Sequence, residues 1–176
     1  MKYLITLLSI VIISATFSSC LTTKAGEKAA YLNNDAVFIK GENITALSIY
    51  AITMPGDKAL YEKITGALQG WFMKKNIKTD MRFFEATQNP ADIGTQMRQT
   101  KNPYFLVLDR IKGGTQKDEM NNDFIVNQLN VYLQKSTGEH IADFTIAIDK
   151  ITTNSKLAKQ VTDLITGYLA KKNLIN

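Results

Sequence analysis

Pro103-Tyr104-Phe105-Leu106-Val107-Leu108 is the most apolar run of the chain beyond residue 20. After the proline no position offers a polar face. A strand of this kind is covered on both sides, as the inner strands of layered α/β domains are. Proline at its start removes no ladder bond that an inner position would need. Gly113-Gly114 marks its end, and a polar loop is predicted from there to Asp123.

Patterns on either side of this strand complete a domain around it. Asn89-Pro90 opens a helix, with proline where a missing N–H costs nothing and Ile93, Met97 and Thr100 on its narrow apolar face. Thr79 to Ala86 reads as a short strand with Met81 and Phe83 on one face. Asp57 is placed to cap a longer helix through its carboxylate, in which Leu60, Ile64, Ala67, Leu68, Trp71 and Phe72 recur at helical spacing up to a stop at Asn76. Ile44 to Ile52 alternates as a strand does, and Ala36 to Lys40 is a candidate extra strand before the turn Gly41-Glu42-Asn43.

Towards the C-terminus Phe124 to Gln134 alternates again, with Val126, Gln128, Asn130 and Tyr132 opposite Ile125, Asn127, Leu129, Val131 and Leu133. Lys135 to Glu139 is a hairpin turn, and Ile141 to Ile148 returns with Phe144, Ile146 and Ile148 facing one way. Thr153 or Asn154 caps a last helix with an apolar stripe of Leu157, Val161, Leu164, Ile165, Tyr168 and Leu169. The predicted order is β-α-β-α-β-β-β-α: one α/β domain, a mixed β-sheet with helices packed on it, over residues 36–176.

The first residues read as a targeting segment rather than as fold. Lys2 supplies a positive charge, Tyr3 to Ile13 is almost unbroken apolar sequence, and Phe17-Ser18-Ser19-Cys20 follows. Charge, apolar core and small residues at a cut is the order of a secretory signal, and the apolar run is shorter than the roughly 20 residues a spanning helix needs. Ser18-Ser19-Cys20 resembles the bacterial lipobox, with Phe17 where leucine is usual. A thiolate is the nucleophile that would take an acyl group, and Cys20 is the only cysteine of the chain, so no internal disulfide competes for it. Residues 1–19 are therefore predicted to be a signal peptide. Residues 20–35 are a lipidated N-terminus and polar tether. Leu21 after the cysteine, and no acidic cluster in Thr22-Thr23-Lys24, points to the periplasmic face of the outer membrane.

The formal charge of +5, lowered by one when Lys2 leaves with the signal, is mildly basic. Lys74-Lys75 and Lys171-Lys172 each fall near a predicted helix C-terminus, where cations complement the helix dipole. That placement accounts for the basic balance without nucleic acid, a partner that an exported protein does not meet.

The strand Pro103 to Leu108, the segment Leu129-Asn130-Val131-Tyr132-Leu133-Gln134-Lys135-Ser136-Thr137-Gly138-Glu139 and the final amphipathic helix together resemble a group of small bacterial envelope lipoproteins. The group includes the lipoprotein activators of penicillin-binding proteins. Related folds occur in the curli-secretion lipoprotein and in the N-terminal domain of the Tol-system propeller protein. The resemblance implies a protein-binding or scaffolding role without catalysis, and it supplies no catalytic residue.

Catalytic chemistry is sparse in the sequence itself. His140 is the only histidine, whereas a zinc site or a nucleophile–base pair needs several convergent groups. No glycine-rich phosphate loop is present, and no cofactor or metal is expected. Asp109-Arg110, after the apolar strand, reads as a solvated strand end. Gly66 and Gly70, four apart on one helix, suit close packing on the sheet, and Trp71-Phe72 suits burial there. The candidate partner-binding residues are Lys117, Asp118, Glu119 and Met120, in the longest polar connection of the domain. The anticipated partners are a membrane, through the lipid, and another envelope protein. A subunit of a secretion or envelope-assembly complex, and a hydrolase whose carboxylates meet only in the fold, remain the alternatives.

Overall fold

A computed structural model describes residues 30–33, 44–117, 121, 123–148 and 155–175. Its elements are β1 (Ala30–Asn33), β2 (Ala46–Thr53), α1 (Lys58–Lys74), β3 (Lys78–Glu85), α2 (Pro90–Arg98), β4 (Tyr104–Leu108), β5 (Lys112–Lys117), β6 (Asp123–Lys135), β7 (His140–Ile148) and α3 (Ser155–Lys171). The strands form one mixed sheet in the order β1-β7-β6-β4-β2-β3, with β5 also paired to β6. The architecture is the α/β domain expected from the sequence, in the expected order, with β1 and β5 added. No helix among the described residues is long and apolar enough to cross a membrane.

Both added strands correct the sequence reading. The polar loop predicted after Gly113-Gly114 begins instead as β5, antiparallel to the first half of β6 from Lys112↔Gln128 to Lys117↔Asp123. Ladder bonds use backbone groups, so polar side chains do not prevent pairing when a long strand offers unpaired N–H and C=O groups. Ala30–Asn33 falls within the predicted tether, yet it pairs with β7 from Ala30↔Ile148 to Asn33↔Thr145. There it covers an edge that would otherwise be open. The candidate strand Ala36 to Lys40 and the predicted α3 cap lie outside the described residues.

Strand β2 is the axis of the domain. It runs parallel to both β3 and β4. Leu47, Ile49 and Ala51 join the larger core with α1 and α3, represented by Leu60, Ile64, Leu68, Val161, Ile165 and Leu169. Alternate residues point to the opposite face, where Tyr50 joins Phe84, Phe105 and Val107 beneath Ile93 and Met97 of α2. Strand β4 divides in the same way. Leu106 and Leu108 face the long helices and Phe105 and Val107 face α2, which is the two-sided cover that its apolar run predicts. On β3 the pattern predicted Met81 and Phe83 on one face; Met81 packs on the larger core, Phe83 is 36% exposed, and Phe84 is the buried residue on the other side.

The helix ends follow local chemistry. Asn89 caps α2 by accepting a hydrogen bond from the Ala91 N–H at 3.0 Å, with Pro90 in the first turn. Asp57 does not cap α1 with its side chain. Its backbone lies in the helical region (φ −113°, ψ −5°) rather than the extended conformation of a capping residue. Its Oδ1 turns back to accept from the Met54 N–H at 2.7 Å, closing the Met54-Pro55-Gly56 turn. Burial pushes the pKa of this carboxyl upward against the lowering effect of that bond.

Both long helices end alike, at Lys74-Lys75-Asn76-Ile77 and Lys171-Lys172-Asn173-Leu174. Each asparagine takes a left-handed φ, 58° and 53°. The next N–H then reaches back five residues, Ile77 to the Phe72 carbonyl and Leu174 to the Leu169 carbonyl, each at 3.0 Å. This is the Schellman closure, with its apolar residue buried beyond the turn.

On the α2 side a polar cluster ties β2, β3 and the entry to β4. The Ser48 hydroxyl donates to Asp80 at 2.7 Å and lies 3.1 Å from the Thr100 hydroxyl. The Asn102 amide donates to Ser48 and to the Asp80 carboxylate. Ser48 is fully buried, and these bonds satisfy it, as burial of a hydroxyl requires.

Burial raises the pKa of the hydroxyls of Tyr61, Tyr132 and Tyr168, and Tyr168, whose ring lies 4.1 Å from that of Phe144, is pushed from 10.0 up to about 12. A group that ionises later in the folded state supports folding below its ordinary pKa, and the support is lost as pH rises through the folded value. The melting temperature is therefore expected to fall as pH rises from about 10 to about 12. Tyr168→Phe, which keeps the ring, should make that fall shallower. Calorimetry across the pH series checks both, and an unchanged slope in the variant would contradict the assignment.

Candidate functional site

The two faces of the sheet are covered unequally. Among the described residues, α1 and α3 cover one face, while the nine-residue α2 covers only β2, β3 and β4 on the other. Gln128, Asn130, Tyr132 and Gln134 of β6 and Asp143 and Thr145 of β7 stay half-exposed on that second face. The step between α2 and this open half is a groove of about 440 Å³. Ile52, Ile93, Met97 and Val107 form its apolar floor, and Asp109, Arg110, Lys112, Tyr132, Gln134 and His140 stand around it.

An irregularity between β4 and β5 gathers part of this rim. Leu108 pairs with Val131 and Lys112 pairs with Gln128, so three residues on one side face two on the other. The extra residue makes a β-bulge, which redirects side chains and often lies beside binding sites. The Asp109 N–H still donates to the Asn130 carbonyl at 2.9 Å. The Asp109 carbonyl accepts from the Tyr61 hydroxyl of α1 at 2.6 Å, a bond that arrives from the larger core. Its carboxylate accepts from the Arg110 N–H at 2.7 Å and pairs with Lys112 at 3.7 Å. Ile111 turns into the core.

At the other side of the groove, His140 Nδ1 lies 2.8 and 2.9 Å from the two carboxylate oxygens of Asp143. Its ring meets Tyr132 edge-on at 5.8 Å. Burial is the main cause of the raised pKa of the Tyr132 hydroxyl, with the negative charges of Asp109 and Asp143 adding to it. Among the described residues the groove lining contains no serine, threonine or cysteine to stand beside the histidine as a nucleophile. No group of three or more metal-ligating side chains occurs among the described residues.

Strands β5 and β6 continue past this rim. Among the described residues the last pair between β6 and β7 is Asn127↔Ile148, whereas β6 pairs with β5 on to Lys117↔Asp123. Among the described residues, then, Gly114 to Lys117 and Asp123 to Val126 form a two-stranded arm. Lys117 ends β5, while Asp118, Glu119 and Met120 lie outside the described residues, as does Cys20.

The remaining sequence candidates fall as follows. Asp109-Arg110 is not a solvated strand end: both are half-buried at the bulge, because the chain must stay in register with β6. His140 lies beside the hairpin turn as the exposed first residue of β7, and it is engaged with Asp143. Gly66 and Gly70 do not pack closely on the sheet; a Cβ at either would meet nothing within 4 Å. Phe72 is fully buried, and Trp71 packs partly against the core beneath Lys75, 5.9 Å away. Sequence reasoning did not single out Tyr61 or Tyr132 for the site. Gly113-Gly114, beside an interrupted strand, was the one local mark of a bulge.

No protein-family model and no curated protein sequence matches the chain. Among solved structures it is similar to a PelC dodecamer from Paraburkholderia phytofirmans, at 13% identity and a TM-score of 0.49, over 82% of this chain and 97% of that one. It is also similar to a putative neuraminyllactose-binding hemagglutinin homolog from Helicobacter pylori, at 16% identity and a TM-score of 0.42, over 78% and 93%. A minor lipoprotein from Acinetobacter baumannii is similar at 12% identity and a TM-score of 0.32, over 70% and 94%. These are likenesses of chain layout, and they assign no role to the groove residues.

The Tyr61 bond makes the bulge testable. Tyr61→Phe keeps the buried ring and removes only the donor to the Asp109 carbonyl. A stability loss of about 1–3 kcal/mol is expected in urea unfolding, with amide hydrogen exchange at Asp109 and Arg110 accelerated more than within β4. Unchanged exchange at those two amides would show that the bulge does not depend on this bond.

Proposed function

We propose that this chain is a lipid-anchored protein of the bacterial envelope, acylated on Cys20 and facing the periplasm from the outer membrane. Its domain binds another envelope protein and does not catalyse a reaction. The anchor rests on the order Lys2, apolar run, Ser18-Ser19-Cys20, with Cys20 the sole thiol. With Ala30 already in the sheet, about nine residues separate it from the cysteine, a reach of at most about 30 Å. A partner would therefore be met close to the membrane.

The observation that carries the binding role is the β5–β6 arm. Its outer pairs, Gly114↔Val126 to Lys117↔Asp123, lie beyond the last β7 pair among the described residues, and no third strand pairs with them there. A rigid sheet can hold such an extension in place while its end stays free of packing demands. Lys117, Asp118, Glu119 and Met120 are the proposed contacts, offering both charges and one flexible apolar side chain.

Three experiments test this. Metabolic labelling with a fatty-acid analogue should mark the parent chain and leave Cys20→Ser unlabelled. In intact cells the labelled parent should resist added protease. Equal labelling of both chains would refute the anchor, and rapid digestion without lysis would refute the periplasmic face. Separately, replacing Gln116 to Asn121 with glycine and serine should preserve cooperative melting and abolish the partner crosslink in cells. An unchanged crosslink pattern in the folded variant would place the contact elsewhere.

A further inference from the structure

We infer that the groove between α2 and the β6–β7 half of the sheet binds a small anionic amphiphile: an apolar chain ending in a carboxylate or a phosphate. This site is independent of the β5–β6 arm and its partner.

Three observations converge on that class of ligand. The first is the floor. Ile93, Met97 and Val107 each present a small residual area to the groove, 6%, 8% and 5% exposed, and Ile52 is half-buried beside them. These side chains already pack beneath α2, so they form a fixed apolar surface that does not have to be assembled. Met97 can adapt its unbranched side chain to the shape of an occupant.

The second is the charge at its rim. Lys112 is paired with Asp109, and His140 is paired with Asp143. Arg110 is different: it is half-buried, it lines the groove, and among the described residues its guanidinium has no hydrogen-bond or ion-pair partner. The Asp109 carboxylate beside it is already used, accepting from the Arg110 backbone N–H and facing Lys112. Lys112 faces Asp109 and His140 faces Asp143, so Arg110 is the groove cation whose side chain makes no ion pair among the described residues. A planar guanidinium binds carboxylate or phosphate through two parallel N–H···O bonds, and such charge-assisted bonds strengthen at a partly desolvated rim. A cationic or neutral head group would leave that cation uncompensated.

The third is size. About 440 Å³ lies within the range of small-molecule sites, roughly 300–1,000 Å³. A stable protein interface instead covers about 800 Å² on each partner, and a local step between one short helix and one hairpin is not a surface of that extent.

The test uses the full, lipidated chain in its own membranes with three diazirine-bearing probes: dodecanoate, dodecyl phosphate and dodecanol. Illumination and peptide mass spectrometry locate the adducts. At least one anionic probe should label the peptides carrying Ile93, Met97 or Val107 about tenfold more than dodecanol does, the factor that a single charge-assisted contact supports. Labelling by dodecanoate alone assigns a carboxylate ligand; labelling by dodecyl phosphate alone assigns a phosphate. Arg110→Gln should lower the anionic labelling to the dodecanol level without moving the melting temperature. Lys63→Gln, in the separate groove between α1 and α3, should leave it unchanged. Equal labelling by dodecanol, full labelling of Arg110→Gln, or adducts confined to other peptides would each overturn the inference.

Discussion

The structure depends on burying β2 and β4 on both faces at once. Tyr50 and Ile49 are adjacent in sequence and both fully inaccessible, one beneath α2 and one beneath the long helices. Parallel pairing of β2 with β3 and β4 requires crossover connections, and α1 and α2 are those connections. They land on opposite faces of the sheet. Because α1 is joined by α3 and α2 is joined by no second helix among the described residues, the cover is thick on one side and narrow on the other. The open half of the second face, and the groove at its boundary, follow from that imbalance.

The antiparallel half of the sheet has a different logic. Strands β6 and β7 bury Leu129, Val131, Leu133, Phe144, Ile146 and Ile148 on the helix side. Asn130, Tyr132, Gln134, Asp143 and Thr145 fall on the other, where no helix among the described residues requires apolar surface. This is the one-sided alternation of a solvated antiparallel sheet. Thr145 donates to Asn130 at 2.9 Å across this face, so the polar side is itself ordered. At the bulge the two halves meet: β4 leaves the two-sided core and β5 begins the arm. The Tyr61 hydroxyl fastens this junction from the far side of the sheet.

Much of the fold was legible in local pattern. The apolar run at β4, the alternation of β6 and β7, the stripes of α1 and α3 and the Asn89-Pro90 start of α2 each satisfy a rule that acts within one element. Where the sequence misled, the cause was a bond made elsewhere. Asp57 has the chemistry of a cap, but its backbone angle turns the carboxylate to Met54. Lys112 to Lys117 has the composition of a loop, but β6 offers it a ladder. Ala30–Asn33 has the composition of a tether, but β7 has an edge to fill.

The groove was not legible, because Ile52, Ile93, Val107, Arg110, Tyr132 and His140 come from separate elements, and none carries a distinctive neighbour pattern. By itself the amino-acid sequence determined the three helices and the strands other than β1 and β5, the two-sided burial of β4 and the presence of a lone Cys20 behind an apolar segment. These are matters of periodicity and local chemistry. Only the tertiary structure decided which face α2 covers, where the register slips by one residue and which residues come together around the groove. Those are distances between residues far apart in the chain, and local pattern carries no record of them.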